Sequence, residues 1–152
     1  MTNDSPHLTV PIAFTKPDAK LPTQANDGDA GWDLYACGPL THQLWQGHRA
    51  TIPTGVSMAI PFGYYAQILC RSSLAAKGAL VLGGVIDSSY RGEWFVILVN
   101  SGNERLDIEP GNRIAQFIIL PTPAFTLLPV PSLANDKTIG GRGYTGFGYS
   151  GR

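Results

Sequence analysis

The sequence predicts an all-β domain, a sandwich or barrel built from short strands. Eight apolar runs of strand length recur along the chain, and each is bounded by Gly, Pro, Asn or Asp, the residues typical of turns. The 18 glycines and 12 prolines are scattered between these runs without a period, which indicates many turns. The one helical pattern is a single turn at Ser73–Lys77, where a hydroxyl residue precedes Leu74.

Side-chain alternation within the apolar runs assigns them to different places in the fold. Val56, Met58 and Ile60 alternate with small residues, which predicts a strand with one face in the core. Phe95–Val99 and Phe117–Leu120 are apolar at every position, which predicts central or interfacial strands. The predicted strands are, in order, Val10–Phe14, Trp32–Ala36, Thr51–Ile60, Tyr64–Cys70, Ala79–Ile86, Trp94–Asn100, Arg113–Leu120 and Phe125–Val130.

The chain divides into one β domain over residues 1–131 and a linker with a glycine-rich C-terminal arm over 132–152. The apolar pattern stops after Pro131, and 152 residues suit a single domain. In the arm, glycines would let backbone N–H groups converge on phosphate oxygens, Arg142 could fork onto a phosphate, and Phe147 offers a flat face to a base. Taken in isolation, a glycine-rich terminus is more often a disordered tail, and the rest of the chain reverses that interpretation.

Charge and composition exclude several classes of partner. Eleven basic and eleven acidic residues cancel, so we expect no binding to nucleic acid or to an anionic membrane surface. No apolar run approaches the length of a membrane span, and Met1–Val10 lacks the pattern of a secretion signal, so a cytoplasmic, intracellular location is expected. Cys37 and Cys70 are not near histidines at zinc spacing and are interpreted as reduced core thiols.

Five short motifs follow one another in a fixed order. They are Asp29–Ala36, Arg71–Ala75, Gly84–Glu93, Gly111–Gln116 and the arm Arg142–Arg152. This series resembles that of the homotrimeric dUTPases, the deoxyuridine triphosphate nucleotidohydrolases, from about Leu8 to Gly151. The resemblance implies a jelly-roll-like β fold with a flexible arm that closes over a site shared by three chains. It also implies Mg²⁺-dependent hydrolysis of dUTP to dUMP and pyrophosphate.

The third motif carries the catalytic residue that the resemblance implies. Asp87 would orient and deprotonate a water for attack on the α-phosphorus. By its local sequence alone, Asp87 also fits a carboxylate that satisfies the backbone of a hairpin turn. Tyr90 would pack against the deoxyribose and exclude a 2′-hydroxyl. Backbone groups at Gly84, Val85 and Ile86 would read the uracil edge.

Other motifs would hold the phosphates and the metal ion. Asp33 is expected to support Mg²⁺ through bound waters, since Mg²⁺ keeps its waters and takes direct ligands from phosphates. Arg113 fits a phosphate donor or a structural ion pair. The other implied substrate-binding residues are Arg71, Ser72, Ser73, Gln116, Arg142, Gly146, Phe147, Gly148 and Ser150. The chain departs from the family pattern at Ser73, Ser89, Thr145 and Tyr149.

Two other functions are weighed against this one. A dCTP deaminase has the same fold and a similar Arg71–Ala75 motif. Aligning Asn100–Gly102 with the deaminases, however, places Ile97 where they carry a catalytic glutamate, and isoleucine cannot shuttle protons. A dUTP-binding regulatory protein would keep the site but act through a partner. Nucleotide turnover separates the enzyme from the regulator.

Overall fold

The computed structural model describes residues 8–132 and confirms the all-β class. In this part of the chain the single helix is one turn long, and no helix is long or apolar enough to cross a membrane. The elements are β1 Ile12–Phe14, β2 Trp32–Tyr35, β3 His42–Leu44, β4 Arg49–Pro53, β5 Val56–Met58, β6 Tyr64–Leu69, α1 Ser72–Ala75, β7 Ala79–Leu82, β8 Val85–Ile86, β9 Phe95–Asn100, β10 Leu106–Ile108 and β11 Arg113–Pro121.

The strands pair into antiparallel sheets that form a sandwich, which is the first of the two predicted architectures. One sheet has the order β2-β11-β6-β8 and a second has the order β4-β9-β7, while β1 pairs with β5 and β10 with β3. Strands β9 and β11 each have a neighbour on both sides. The prediction that Phe95–Val99 and Phe117–Leu120 belong to central strands is therefore confirmed.

The core lies between these sheets and is filled by aromatic and branched side chains. Trp94 is fully buried, and its ring meets Phe117 edge-on, with the centroids 5.2 Å apart and an interplanar angle of 82°. Val56, Met58 and Ile60 are all buried, as their alternation predicts. One continuous cluster thus holds the sheets together.

Two predicted strands are each divided by glycine, so that their halves join different sheets. Thr51–Ile60 becomes β4 and β5, separated at Gly55 with φ +71°. Ala79–Ile86 becomes β7 and β8, separated at Gly83 and Gly84 with φ of 68° and 97°. Side-chain alternation continues through such a break, so periodicity does not reveal it, whereas a left-handed backbone redirects the chain.

The predicted strand Phe125–Val130 is wrong for the described chain, where the segment pairs with no strand. Its large side chains are exposed, with Leu127 at 83%. A strand needs an edge to pair with, and the segment lies against none in this chain. Conversely, β3 and β10 were missed, because three residues are too few to show a period. They pair with each other, Leu44 opposite Leu106.

The two cysteines are free thiols with different exposure. Cys37 is buried and donates through Sγ to Asp18 Oδ1 at 3.2 Å, and burial together with this carboxylate raises the pKa of Cys37 to about 11. Asp18 also accepts the Gly38 N–H at 2.7 Å, and these two hydrogen bonds lower the pKa of Asp18. Cys70 is partly buried, so the interpretation as a core thiol holds fully for Cys37 alone.

Gly55 should tolerate no side chain. A Cβ at this position would lie 2.6 Å from both Cys37 Sγ and Ala19 Cβ, and φ is +71°. Gly55→Ala should therefore lower the free energy of unfolding by about 3 kcal/mol, through backbone strain and overpacking. Gly47→Ala is the matched control, because its φ is +79° but the space around it is open, and about 1 kcal/mol is expected. Urea unfolding of both variants tests this; equal losses would contradict it.

Candidate active site

The site is organised around Asp33 in β2, the one charged residue that is buried in the part of the chain described. Its side chain lies between two arginines. Arg71 Nε donates to Asp33 Oδ1 at 2.7 Å, and Arg113 Nη1 donates to Asp33 Oδ2 at 3.3 Å. Each oxygen of the carboxylate therefore has a cationic partner, which offsets the loss of hydration on burial.

A β-bulge in β11 brings Arg113 to this position. Gln116 lies opposite Asp33 in the register of β11 and β2, but the register shifts between Arg113 and Ala115. Ile114 and Ala115, at the register shift, are both fully buried. The extra residue thus turns Arg113 towards the same face as Asp33 and Gln116.

Arg71 is held at the junction between β6 and α1. It is the N-cap of α1, with φ −77° and ψ 140°, and its carbonyl accepts the N–H groups of Leu74 and Ala75 at 3.0 and 2.9 Å. Arg71 Nη1 also lies 3.4 Å from Ser73 Oγ. Ser72 and Ser73 follow as the first, exposed residues of the turn, where helical N–H groups lack acceptors within the helix.

An open cleft of about 360 Å³ lies beside these groups. The side-chain amide of Gln116 is fixed at its wall by donating to the Cys70 carbonyl at 3.1 Å. A Cβ at Gly31 would displace the end of this side chain, because Gln116 Oε1 occupies that space. Guanidinium, hydroxyl and amide donors in one cleft suit an oxyanion. The cleft is lined by Ala25, Asp29, Ala30, Gly31, Asp33, Arg71, Ser72 and Gln116.

The predicted base-recognition residues form a second, separate group at β8. Ile86 pairs with Ala66 of β6, and the Gly84 carbonyl accepts the Ile68 N–H at 2.7 Å. With φ +97° and a Cβ that would lie 2.6 Å from Ile68 O, Gly84 must be glycine. The Val85 side chain is 62% exposed. This edge of the sheet is therefore open to a ligand.

Asp87 and Tyr90 form the turn that follows β8. The Tyr90 N–H donates to the Asp87 carbonyl at 3.1 Å, and the Tyr90 hydroxyl donates to the Glu93 carbonyl at 2.9 Å. Arg91, which the sequence analysis did not single out, donates to the carbonyls of Ser88 and Tyr90 at 2.6 and 2.8 Å. The position of Arg91 within the third motif, Gly84–Glu93, could have indicated its role. Arg91 thus holds the turn that presents the exposed Asp87 carboxylate.

The residues around Asp33 and the residues of β8 with its following turn do not meet within one chain. Ala66, the partner of Ile86, lies five residues before Arg71, which corresponds to about 16 Å along an extended strand. Asp33, Arg71, Ser72, Ser73 and Gln116 are therefore brought together, while Gly84, Val85, Ile86, Asp87 and Tyr90 lie elsewhere. The predicted arm residues Arg142, Gly146, Phe147, Gly148 and Ser150 lie outside the described residues.

The donor set of the cleft fits a magnesium ion held mainly by water and phosphate. Within residues 8–132 no cluster of three or more metal-binding side chains occurs. The cleft does contain the carboxylates of Asp29 and Asp33, and both Asp33 oxygens already accept from arginine. Mg²⁺ keeps several waters and binds proteins through one or two carboxylates plus substrate phosphates, which agrees with this arrangement.

The fold and the cleft define a β protein built to hold an anionic ligand. The chain belongs to the dUTPase family, whose model matches residues 17–151. It is 39% identical to the deoxyuridine 5′-triphosphate nucleotidohydrolase of Syntrophotalea carbinolica over 144 residues, which cover 92% of this chain and 98% of the relative. The enzyme of the same name from Ehrlichia canis is 40% identical over 154 residues, covering 99% of both chains.

Solved structures of dUTPases have the same fold. The dUTPase of Staphylococcus bacteriophage 80alpha with dUPNHPP superposes with a TM-score of 0.81 at 27% identity, covering 95% of this chain and 99% of that chain. A dUTPase from phage phi11 of S. aureus, described with a structural Mg(II) ion, gives a TM-score of 0.74 at 22% identity, covering 82% and 98%. The latter likeness concerns the fold alone.

Asp33 should contribute strongly to stability. Asp33→Asn keeps the shape of the side chain but leaves Arg71 and Arg113 without their counter-charge, so the free energy of unfolding should fall by about 2 kcal/mol. Asp107→Asn is the control, because it removes the carboxylate of the exposed Arg105–Asp107 pair, whose atoms are also 2.7 Å apart. That change should have an effect of about 0.5 kcal/mol or less. Thermal and urea unfolding measure both; similar losses would refute a special role for Asp33.

Proposed function

We propose that this chain is a dUTP diphosphatase, which hydrolyses dUTP to dUMP and pyrophosphate through attack of water on the α-phosphorus. The observation that carries the proposal is the family membership over residues 17–151. The cleft around Asp33 supports it, because its donors suit a triphosphate. The following roles belong to the same proposal.

The triphosphate would lie in the cleft beside α1. Arg71 supplies a guanidinium whose Nε is already fixed by Asp33, so its remaining N–H groups can donate to phosphate oxygens. Ser72 and Ser73 add hydroxyl and backbone donors, and Gln116 adds an amide. Mg²⁺, supported by Asp33 and Asp29 through water, would neutralise phosphate charge. This placement of Mg²⁺ is supported by the oxygen ligands that the cleft offers.

Asp87 would act as the general base. Its carboxylate is exposed, and in the described part of the chain no side-chain hydrogen bond or ion pair occupies it, so it is available to orient a water. Gly84, Val85 and Ile86 would present backbone groups to uracil at the open edge of β8, and Tyr90 would lie against the deoxyribose. Mismatched bases would leave backbone groups unpaired, which is a strong source of selectivity.

Residues 132–152 would act as an arm that completes the site over the domain formed by 1–131. Arg142 would contact a phosphate, Phe147 would cover the base, and Gly146, Gly148 and Ser150 would shape the backbone around the nucleotide. The chemistry of these residue types supports this part of the proposal. Closure of such an arm would exclude water from the phosphates.

The active molecule would be a homotrimer in which each site is shared between chains. Two observations support assembly. Asp87 follows Ile86, whose partner Ala66 is separated from Arg71 by about 16 Å of extended chain, so the two groups are not expected to reach one nucleotide phosphate within a chain. In addition, the outer face of β7 and β9 exposes Leu80, Leu82 and Phe95, each more than 40% exposed, while Phe125–Val130 has no strand partner.

Location and other partners follow from charge and thiol chemistry. The two free thiols suit a reducing compartment, and a cytoplasmic location is part of this proposal. The zero formal charge gives no general attraction to nucleic acid or to anionic lipid. The expected ligand is therefore the small molecule dUTP, and the expected partners are further copies of the chain.

Substrate choice and the general base are tested together. Purified protein with Mg²⁺ is incubated separately with dUTP, dCTP, dTTP and UTP, and pyrophosphate and nucleotide products are measured. Turnover of dUTP alone is expected, and Asp87→Asn should lower kcat by about 10²–10⁴-fold, the usual worth of a general base. Ammonia from dCTP would indicate a deaminase, and dUTP binding without turnover would indicate a regulator. Either result would overturn the proposal.

If each site is shared between chains, a mixture of two inactive variants should recover activity that neither variant has alone. Asp87→Asn and Arg71→Gln, unfolded and refolded as a 1:1 mixture, should regain about a quarter of wild-type turnover, because random assembly pairs an intact Arg71 with a neighbour's intact Asp87 at that frequency. Each variant refolded alone is the control. Light scattering should give three times the 16.3 kDa chain mass. A monomer, or a mixture as inactive as its components, would contradict the shared site.

A further inference from the structure

A β-bulge brings Arg113 to the site, where Arg113 contacts Asp33 but does not line the cleft itself. The bulge at Ile114 and Ala115 departs from regular pairing in the central strand of the larger sheet, and it turns the arginine to the face of Asp33. Arg113 does not line the cleft, whereas Asp33 and Arg71 both do. Arg113 Nη1 instead donates to Asp33 Oδ2.

The contact determines how Asp33 can hold Arg71. A carboxylate that is bound at one oxygen only can rotate about its terminal bond, since that torsion is broad. With Oδ2 bound to Arg113 Nη1, the other oxygen is directed at Arg71 Nε, 2.7 Å away. Because Nε is occupied, the terminal nitrogens of Arg71 are the ones left to face an anion in the cleft.

We propose that Arg113 is a positioning residue for the triphosphate, which acts through Asp33 to fix the orientation of Arg71. This inference rests on the proposed function, because it assumes that phosphates occupy the cleft. It assigns Arg113 to neither alternative considered from the sequence, a phosphate donor or a purely structural ion pair. The Arg113 side chain is 49% exposed and its bond to Asp33 is 3.3 Å long, while the shorter bond from Arg71 remains as a counter-charge for Asp33, so the main effect of losing Arg113 should fall on ligand binding.

The test compares Arg113→Gln with Arg113→Lys in the full chain. Calorimetry with Mg²⁺ measures affinity for dUMP and for non-hydrolysable α,β-imido-dUTP, and steady-state kinetics measure kcat and KM for dUTP. Arg113→Gln should weaken α,β-imido-dUTP about tenfold and lower kcat/KM about tenfold, with dUMP affinity unchanged, because dUMP lacks the outer phosphates. Arg113→Lys, which retains a cation for Asp33, should recover most of the loss. Arg105→Gln, from the exposed Arg105–Asp107 pair, is the control and should change neither quantity.

A double variant separates positioning from direct contact. In an Arg71→Gln background, Arg113→Gln should cause no further loss of α,β-imido-dUTP affinity, since its effect passes through Arg71. Additive losses would make Arg113 a direct phosphate ligand and overturn the inference. Equal weakening of dUMP and α,β-imido-dUTP, together with a lower Tm, would reduce Arg113 to a structural role and also overturn it. Failure of the proposed function is read separately, from absent dUTP turnover by the wild type.

Discussion

The constraint on which the site depends is the burial of one negative charge inside a β-sheet. Asp33 lies between apolar neighbours in β2, and a buried carboxylate is tolerated only when cations and hydrogen bonds replace water. Two arginines from distant parts of the chain meet this requirement. The contacts that compensate the buried charge therefore also fix Arg71 at the edge of the cleft, so the stability of the sheet and the proposed binding of phosphate depend on the same carboxylate.

Glycines then decide which parts of the chain share a sheet. At Gly55 and at Gly83–Gly84 the chain leaves the β4-β9-β7 sheet, and the strands that follow pair with β1 and with β6. The second of these breaks places β8, and with it Asp87, at the edge of the larger sheet, remote from Arg71. The same backbone freedom that closes the core therefore separates the two groups of residues to which the proposed function assigns roles. A single chain carries every component described, but not in one place.

Features that depend on local sequence patterns could be predicted from the sequence. Features that depend on which strands pair with each other could not. The all-β class follows from short apolar runs bounded by turn residues, and the central position of Phe95–Val99 and Phe117–Leu120 follows from apolar residues at every position. The inward side chains of Val56, Met58 and Ile60 follow from alternation. The glycine breaks, the β3–β10 pair and the unpaired Phe125–Val130 do not, because periodicity does not report which edge a strand joins. The resemblance implied that Asp33 and Arg71 belong to one site, but it did not predict the hydrogen bond between them. The bulge that adds Arg113 depends on register, which no local signal specifies.

The tryptophans give the molecule three separate optical reporters. Trp94 is fully buried against Phe117, Trp32 is 40% exposed beside an apolar groove that also contains Phe117, and Trp45 is 54% exposed with Arg105 above its ring. Indole emission shifts to longer wavelength in polar surroundings, so these side chains occupy different parts of the fluorescence spectrum. Unfolding would shift the Trp94 component most. The intrinsic fluorescence of the protein can thus distinguish disruption of the core from changes confined to the surface.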